Sequence, residues 1–137
     1  MSAAAPALAE PLPWQWLGRI ALDAAVVEQE ARRERLLAGD PGGAGVLLCE
    51  HPPVITLGRR GAAAHVLVDD AERQARGVAL AEVSRGGEVT FHGPGQLMIY
   101  PVVRLRRGVV AHLETIGRVI ADAVARAGVA GAAWQRD

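Results

Sequence analysis

Residues able to do chemistry concentrate in one stretch, Arg85 to Pro101, which reads RGGEVTFHGPGQLMIYP. Four glycines accompany an arginine, a threonine and a histidine there. Glycine lets a ligand approach the main chain closely, and the three side chains add a cation, a hydroxyl and an imidazole. A loop that only joins two strands does not need all of these groups. We therefore interpret this stretch as the substrate-handling segment and the remaining chain as its scaffold.

The local pattern predicts how this segment is held. Residues 88–92 alternate as a strand, with Val89 and Phe91 on one face. The opposite face would carry Glu88, Thr90 and His92. The sequence Gly-Pro-Gly at 93–95 predicts a tight turn, and residues 96–103 a returning strand. The pattern thus predicts a β-hairpin entered through Gly86-Gly87, with a threonine and a histidine beside open glycine amides.

A purely structural hairpin with a hydrogen-bonded histidine explains these residues equally well. Two other motif classes do not fit. The segment lacks the Lys-Ser/Thr ending of a phosphate-binding P-loop, and its glycines do not open a helix, as a dinucleotide-binding fingerprint requires.

The scaffold alternates predicted strands and helices. Apolar runs bounded by Gly or Pro predict strands, and apolar residues at helical spacing predict helices. The predicted strands are Trp14–Leu17, Val46–Glu50, Val54–Leu57 and Val78–Ser84. The predicted helices are Ile20–Ala38, Ala71–Arg76 and Val109–Ala127.

Outside the central stretch, most candidates for chemistry have simpler explanations. Cys49 lies inside an apolar run and is expected in the core. The pair Arg59-Arg60 between glycines suits either an anion site or a solvated turn. His112 is expected at the surface or near a helix start. No set of His, Cys, Asp and Glu has metal-ligand spacing, so no metal site is predicted.

Composition restricts the class of protein. A chain of 137 residues suits one domain, with residues 1–13 expected to be a disordered leader. The formal net charge is zero, which gives no bulk attraction to nucleic acid or to acidic membranes. No apolar run reaches the length of a membrane span. A single cysteine fits a cytoplasmic protein without disulfides. All basic residues are arginine, so no lysine amine is present for chemistry.

Two motifs together resemble one family. The stretch from Arg85 to Pro101 is similar to the signature of the octanoyltransferases, the lipoyl(octanoyl) transferases of lipoate biosynthesis. The earlier segment Glu50 to Gly61, EHPPVITLGRRG, is similar to a second motif of that family. Their order and separation also fit, and the resemblance covers residues 14–137.

The resemblance implies an α/β (α+β) fold: a mixed β-sheet flanked by helices, like the catalytic domain of biotin and lipoate protein ligases. It implies transfer of an octanoyl group from octanoyl-acyl carrier protein to a lysine of a lipoyl domain, without a cofactor. The acceptors would be 2-oxoacid dehydrogenases and the glycine cleavage H protein. The residues that match the substrate-binding segment are Arg85, Gly86, Gly87, Glu88, Val89, Thr90, Phe91 and His92.

The catalytic cysteine and lysine of the family match no residue of this chain. By the resemblance they are expected beyond Asp137, and Cys49 is not at the nucleophile position. Residues 14–137 would then be the N-terminal part of the catalytic domain, incomplete without a complementing C-terminal fragment. Three alternatives stay open: a truncated octanoyltransferase, an ATP-dependent lipoate ligase relative, and a non-catalytic module that binds acyl groups or carrier protein.

Overall fold

The computed structural model describes residues 11–105 and 108–135, and the chain divides after Val103 into two units. Within these described residues, the first unit contains six strands and two α-helices, and the second contains one α-helix. The strands are β1 Trp14–Arg19, β2 Gly45–Glu50, β3 Val54–Leu57, β4 Ala79–Glu82, β5 Val89–His92 and β6 Met98–Val102. The helices are α1 Leu22–Leu37, α2 Asp70–Ala75 and α3 Gly108–Arg126. This mixed α+β architecture confirms the predicted fold class.

The strands form two three-stranded mixed sheets. In the first, β2 is central, parallel to β1 and antiparallel to β6. In the second, β3 is central, parallel to β4 and antiparallel to β5. Because β2 and β3 are separated only by His51-Pro52-Pro53, and proline lacks the N–H that a ladder needs, the break between the sheets lies at this corner.

The predicted hairpin between residues 88–92 and 96–103 is wrong. Strand β5 pairs with β3, where His92 is opposite Val54, and β6 pairs with β2, where Met98 is opposite Cys49. Residues 89–102 therefore run antiparallel to residues 45–57 across both sheets. The Gly-Pro-Gly turn does not pair β5 with β6. It connects β5 in one sheet to β6 in the other, opposite the His-Pro-Pro corner that connects β3 to β2.

The core of the first unit is built on β2, β3 and α1. On β2, alternate residues are buried, so that Leu47 and Cys49 are fully inaccessible. Ala25 and Leu36 of α1 are also buried, and this helix lies against β6. Burial of Cys49 confirms its prediction as a core residue.

Helix boundaries follow local chemistry. Helix α1 ends at Leu37, and Gly39 follows with φ +89°, a left-handed conformation that favours glycine. Helix α2 begins after Asp69, whose carboxylate accepts the N–H of Glu72 in an N-cap. The three predicted helices are confirmed, with ends that move by at most two residues.

In the second unit, α3 contacts the residues that follow it. Gly117 is buried, and a Cβ at that position would be 2.3 Å from Cδ2 of Trp134. The indole therefore packs on a site that only glycine leaves open. No helix among the described residues is long and apolar enough to cross a membrane. The predicted leader lies outside the described residues except for 11–13, where the Pro13 carbonyl accepts the N–H of Val46.

Candidate functional site

The two sequence motifs interlock through their backbones. The N–H groups of residues 58, 59 and 60 donate to the carbonyl oxygens of residues 88, 85 and 87, at 2.7, 3.0 and 3.1 Å. A Cβ on Gly58 would lie 2.5 Å from the carbonyl oxygen of Gly87, which is inside van der Waals contact. Gly87 itself has φ +85°. Glycine at these two positions therefore lets the loops approach closely.

The guanidinium of Arg85 forms hydrogen bonds that connect the two motifs. Its Nη2 donates to the carbonyl and the hydroxyl oxygen of Thr56, at 3.0 and 2.7 Å, and to the carbonyl of Glu88 at 3.3 Å. Its Nη1 donates to the carbonyl of Gly86 at 2.9 Å. These partners are all neutral oxygens, and within residues 11–105 and 108–135 no carboxylate forms a salt bridge with Arg85. The positive charge of the Arg85 guanidinium is thus stabilised by the dipoles of these neutral oxygens.

Beside Arg85 lies an open cavity of about 330 Å³, which we call the central cavity. Its polar lining residues are Gln29, Thr56, Ser84, Arg85, Thr90 and His92. Its other lining residues are Leu22, Val26, Val83, Met98 and Tyr100. Its apolar residues can therefore contact an apolar chain, while its polar residues supply hydrogen-bond donors and a positive charge.

His92 contributes an imidazole to the central cavity. Its Nδ1 lies 2.7 Å from Oε1 of Gln96. Because an amide oxygen only accepts, Nδ1 carries the proton in the neutral ring, and Nε2 is the acceptor. The Gly-Pro-Gly turn between these two residues brings the amide back onto the ring. The turn was predicted to close a hairpin; in the structure it places the Gln96 amide at the His92 ring, a contact that favours the Nδ1–H tautomer.

Behind the cavity wall, His51 joins Tyr100 and Cys49 in a polar cluster. His51 is fully buried; its Nδ1 lies 2.7 Å from the carbonyl oxygen of Ile20 and its Nε2 lies 2.8 Å from the hydroxyl of Tyr100. A carbonyl accepts only, so Nδ1 donates and Nε2 accepts the phenol proton. The Sγ of Cys49 lies 3.9 Å from the same Nε2. The cluster thereby fixes the orientation of the Tyr100 ring.

Burial governs protonation in this cluster. It raises the pKa of the Cys49 thiol, which disfavours the thiolate that a nucleophile needs. Burial also raises the pKa of Tyr100 to about 12, with a smaller contribution from the nearby Cys49 charge. Both groups are therefore protonated at neutral pH, and Cys49 is a core thiol.

Three of the eight predicted site residues meet in the central cavity: Arg85, Thr90 and His92. Gly86 lies at the surface with open space around its Cα, and Phe91 is 55% exposed. The exposed Glu88 carboxylate lies 3.9 Å from Nδ1 of His65, and Gly87 and Val89 are partly buried without lining the cavity. The predicted alternation of the strand explains why Thr90 and His92 line the cavity and Val89 and Phe91 do not, since Thr90 and His92 share a face.

Tyr100, Met98 and the α1 residues of the cavity were missed by sequence reasoning. Tyr100 follows His92 by eight residues, beyond a turn that was expected to reverse the chain. A usable signal was present, because Tyr100 is the only tyrosine in the chain and lies in a strand that is otherwise apolar. His51, a polar residue between an apolar run and two prolines, was a second usable signal.

Comparison with known proteins identifies the family. Residues 20–136 match the family model described as the lipoyl protein ligase A/B catalytic domain. The chain therefore belongs to the lipoyl protein ligase A/B catalytic domain family.

Individual relatives carry the name octanoyltransferase. The protein of Chloroflexus aurantiacus strain J-10-fl is 45% identical over 108 residues, which cover 77% of this chain and 45% of that protein. The protein of Desulfotalea psychrophila is 39% identical over 101 residues, covering 74% and 45% respectively. The protein of Caldicellulosiruptor bescii is 46% identical over 93 residues, covering 66% and 39%. The chain thus spans less than half the length of these curated relatives.

Proposed function

We propose that this chain is the donor-binding part of an octanoyltransferase. It would bind octanoyl-acyl carrier protein and present the octanoyl group for transfer to a lysine of a lipoyl domain. In that reaction the thioester C–S bond breaks, an amide C–N bond forms to the lysine, and the carrier thiol is released. The observation that supports this proposal best is the central cavity, where residues of the Arg85–His92 segment meet an apolar wall.

The cavity suits a thioester on chemical grounds. The octanoyl chain would lie against Leu22, Val26 and Met98, which are apolar lining residues of the cavity. The carbonyl oxygen gains negative charge as the thioester is attacked, and Thr90 and the positively charged Arg85 are among the polar lining residues. Preorganised donors of this kind stabilise a developing oxyanion more than they stabilise the ground state.

The proposed acyl transfer also needs groups that this chain does not contain. Its one thiol is buried with a raised pKa, and it has no lysine. We propose that a complementing C-terminal part of the family domain supplies the nucleophile and its cation. Strand β6 lies at the edge of its sheet, and the neighbouring apolar side chains of Phe91, Leu97 and Ile99 are 45–55% exposed. These features support a surface that another part of the domain would cover.

Titration with carrier protein tests donor binding. We expect the chain to bind octanoyl-acyl carrier protein more tightly than the same carrier without the acyl group, by calorimetry. Thr90→Phe projects a ring into the cavity and should weaken octanoyl-carrier binding more than tenfold. Ile99→Phe is the matched control, because it adds a ring to a neighbouring strand at a position outside the cavity lining.

Equal binding of acylated and unacylated carrier would refute the acyl role of the cavity. The related ligase chemistry makes a different prediction, since it requires ATP: dependence of acyl binding on ATP would favour a lipoate ligase relative. A cytoplasmic location and the 2-oxoacid dehydrogenase and glycine cleavage acceptors remain predictions from the sequence and the resemblance.

A further inference from the structure

A second and larger cavity, of about 540 Å³, lies beside β4. It runs between the start of α1, the His-Pro-Pro corner and the β4 strand, and we call it the β4 groove. Its apolar lining includes Leu22, Val26, Pro53, Val54, Leu80 and Val83. Leu22, Val26 and Val83 also line the central cavity, so the two cavities share walls. The lining residues from the His-Pro-Pro corner and from Ala79 to Glu82 belong to the β4 groove and have no role in the proposed donor site.

One wall of the groove is an open strand edge. Strand β4 is the outermost strand of its sheet, and among the described residues it pairs only with β3. The N–H groups of Ala79 and Val83 donate inward to the carbonyls of residues 53 and 57, both at 2.9 Å. Because backbone groups alternate in direction along a strand, the N–H and C=O groups of Leu80 and Glu82 point outward. These outward groups can pair with an added strand.

The charge of the groove has one sign. Among its lining residues the charged ones are Asp23 and Glu82, both carboxylates. Neither forms a salt bridge within the described part of the chain. An extended segment with a cationic side chain beside an apolar one therefore complements the groove in charge, in polarity and in backbone hydrogen bonding.

We propose that the β4 groove binds an extended, lysine-bearing segment of the acceptor protein by strand addition to β4. The lysine would lie near Asp23 and Glu82, and an apolar neighbour would contact Leu80. Because the two cavities share Leu22, Val26 and Val83, the acceptor segment would lie next to the bound acyl chain. This inference rests on the proposed function, because it names the acceptor side of the same transfer.

The probe is a fluorescein-labelled peptide of eleven residues that alternates valine and threonine around a central lysine. Its binding to the full chain is measured by fluorescence anisotropy, and a central glutamate replaces the lysine in the control peptide. We expect the lysine peptide to bind at least fivefold more tightly. Asp23→Asn with Glu82→Gln should remove most of that preference, in the range expected for two exposed ion pairs. Glu34→Gln, at an exposed acid outside the groove, should change nothing.

Two further measurements test strand addition. Leu80→Pro deletes an outward N–H and should weaken peptide binding more than tenfold, whereas Leu80→Ala keeps that N–H and should weaken it less. Amide hydrogen exchange detects the hydrogen bonds between the peptide and β4 without a substitution. The peptide should slow exchange at Leu80 and Glu82 and leave Ala79 and Ala81 unchanged, since the latter two already face β3.

The proposal is overturned if both peptides bind equally, or if the peptide leaves exchange at Leu80 and Glu82 unchanged. Octanoyl-carrier binding is measured on the same variants and should remain as in the unsubstituted chain. Loss of carrier binding in the Asp23/Glu82 variant would assign the groove to the donor and overturn the acceptor role. Failure of carrier binding alone, with peptide binding intact, would refute the donor site and leave the groove assignment standing.

Discussion

Tyr100→Phe deletes the hydroxyl that satisfies Nε2 of the fully buried His51, at 2.8 Å. An unsatisfied buried acceptor costs about 1–3 kcal/mol of folding free energy. The Cys49 thiol lies 3.9 Å from the same nitrogen and is only a weak donor, so it offsets part of this cost. We expect a loss of about 1–2 kcal/mol in the free energy of unfolding, measured by urea denaturation. With an m-value of about 2 kcal/mol/M, the midpoint falls by about 0.5–1 M.

A double-mutant cycle separates this hydrogen bond from other effects of the substitution. His51→Asn keeps a donor for the Ile20 carbonyl and removes the acceptor at Nε2. In that background Tyr100→Phe should cost little, because the hydroxyl has already lost its partner. We expect a coupling of about 1 kcal/mol or more between the two sites. Additive effects, or a Tyr100→Phe cost below about 0.3 kcal/mol, would refute the polar cluster described above.

Three further predictions use single positions. Gly58→Ala should lower the free energy of unfolding by more than about 2 kcal/mol, because its Cβ would lie 2.5 Å from the Gly87 carbonyl oxygen. Gly86→Ala meets open space and should lower it by less than about 1 kcal/mol. Urea denaturation measures both variants. Tyr100 is the only tyrosine, so absorbance at about 295 nm should report one phenol titrating near pH 12 in the folded chain. Cys49 is the only cysteine and is fully buried, so a thiol-specific reagent should label the folded chain far more slowly than the urea-unfolded chain.

The sign of the tyrosine effect follows from its raised pKa. The fold binds the phenol proton more tightly than the unfolded chain, whose tyrosine titrates near pH 10. This contribution to stability is complete below pH 10 and is lost between about pH 10 and 12. A folded-state titration near pH 10 would contradict the partly buried position of the Tyr100 hydroxyl. Equal stability of the Gly58 and Gly86 variants would contradict the loop contact, and rapid labelling of Cys49 would contradict its place in the core.

Local signals in the sequence were sufficient for the strands and helices. The apolar run that forms β2, the N-cap at Asp69 and the glycine after α1 are all signals of short-range chemistry. Strand pairing was not predictable in the same way. The turn after His92 has the residues of a hairpin, yet the chain pairs with β3 on one side of the turn and with β2 on the other. Pairing depends on contacts more than thirty residues apart, which local turn chemistry does not encode.

The sequence predicted some residues of the candidate site and not others. Alternation placed Thr90 and His92 on one face correctly, and motif similarity brought Arg85 into the same set. The opposite wall comes from α1 and from Met98 and Tyr100, which reach the cavity only through the tertiary fold. Arg85 also has a role that spacing did not reveal, since its guanidinium joins two loops through neutral oxygens.

The most direct test of the acyl-binding claim uses the methionines. The chain has two, and Met98 lines the central cavity. With methionine labelled at the methyl carbon with ¹³C, Met98→Leu assigns its resonance. Octanoyl-pantetheine should then shift the Met98 methyl resonance saturably, and pantetheine without the acyl group should not. A Met98 resonance that stays unchanged at saturating octanoyl-pantetheine, or that shifts equally with pantetheine alone, would contradict the assignment of this cavity to the acyl chain.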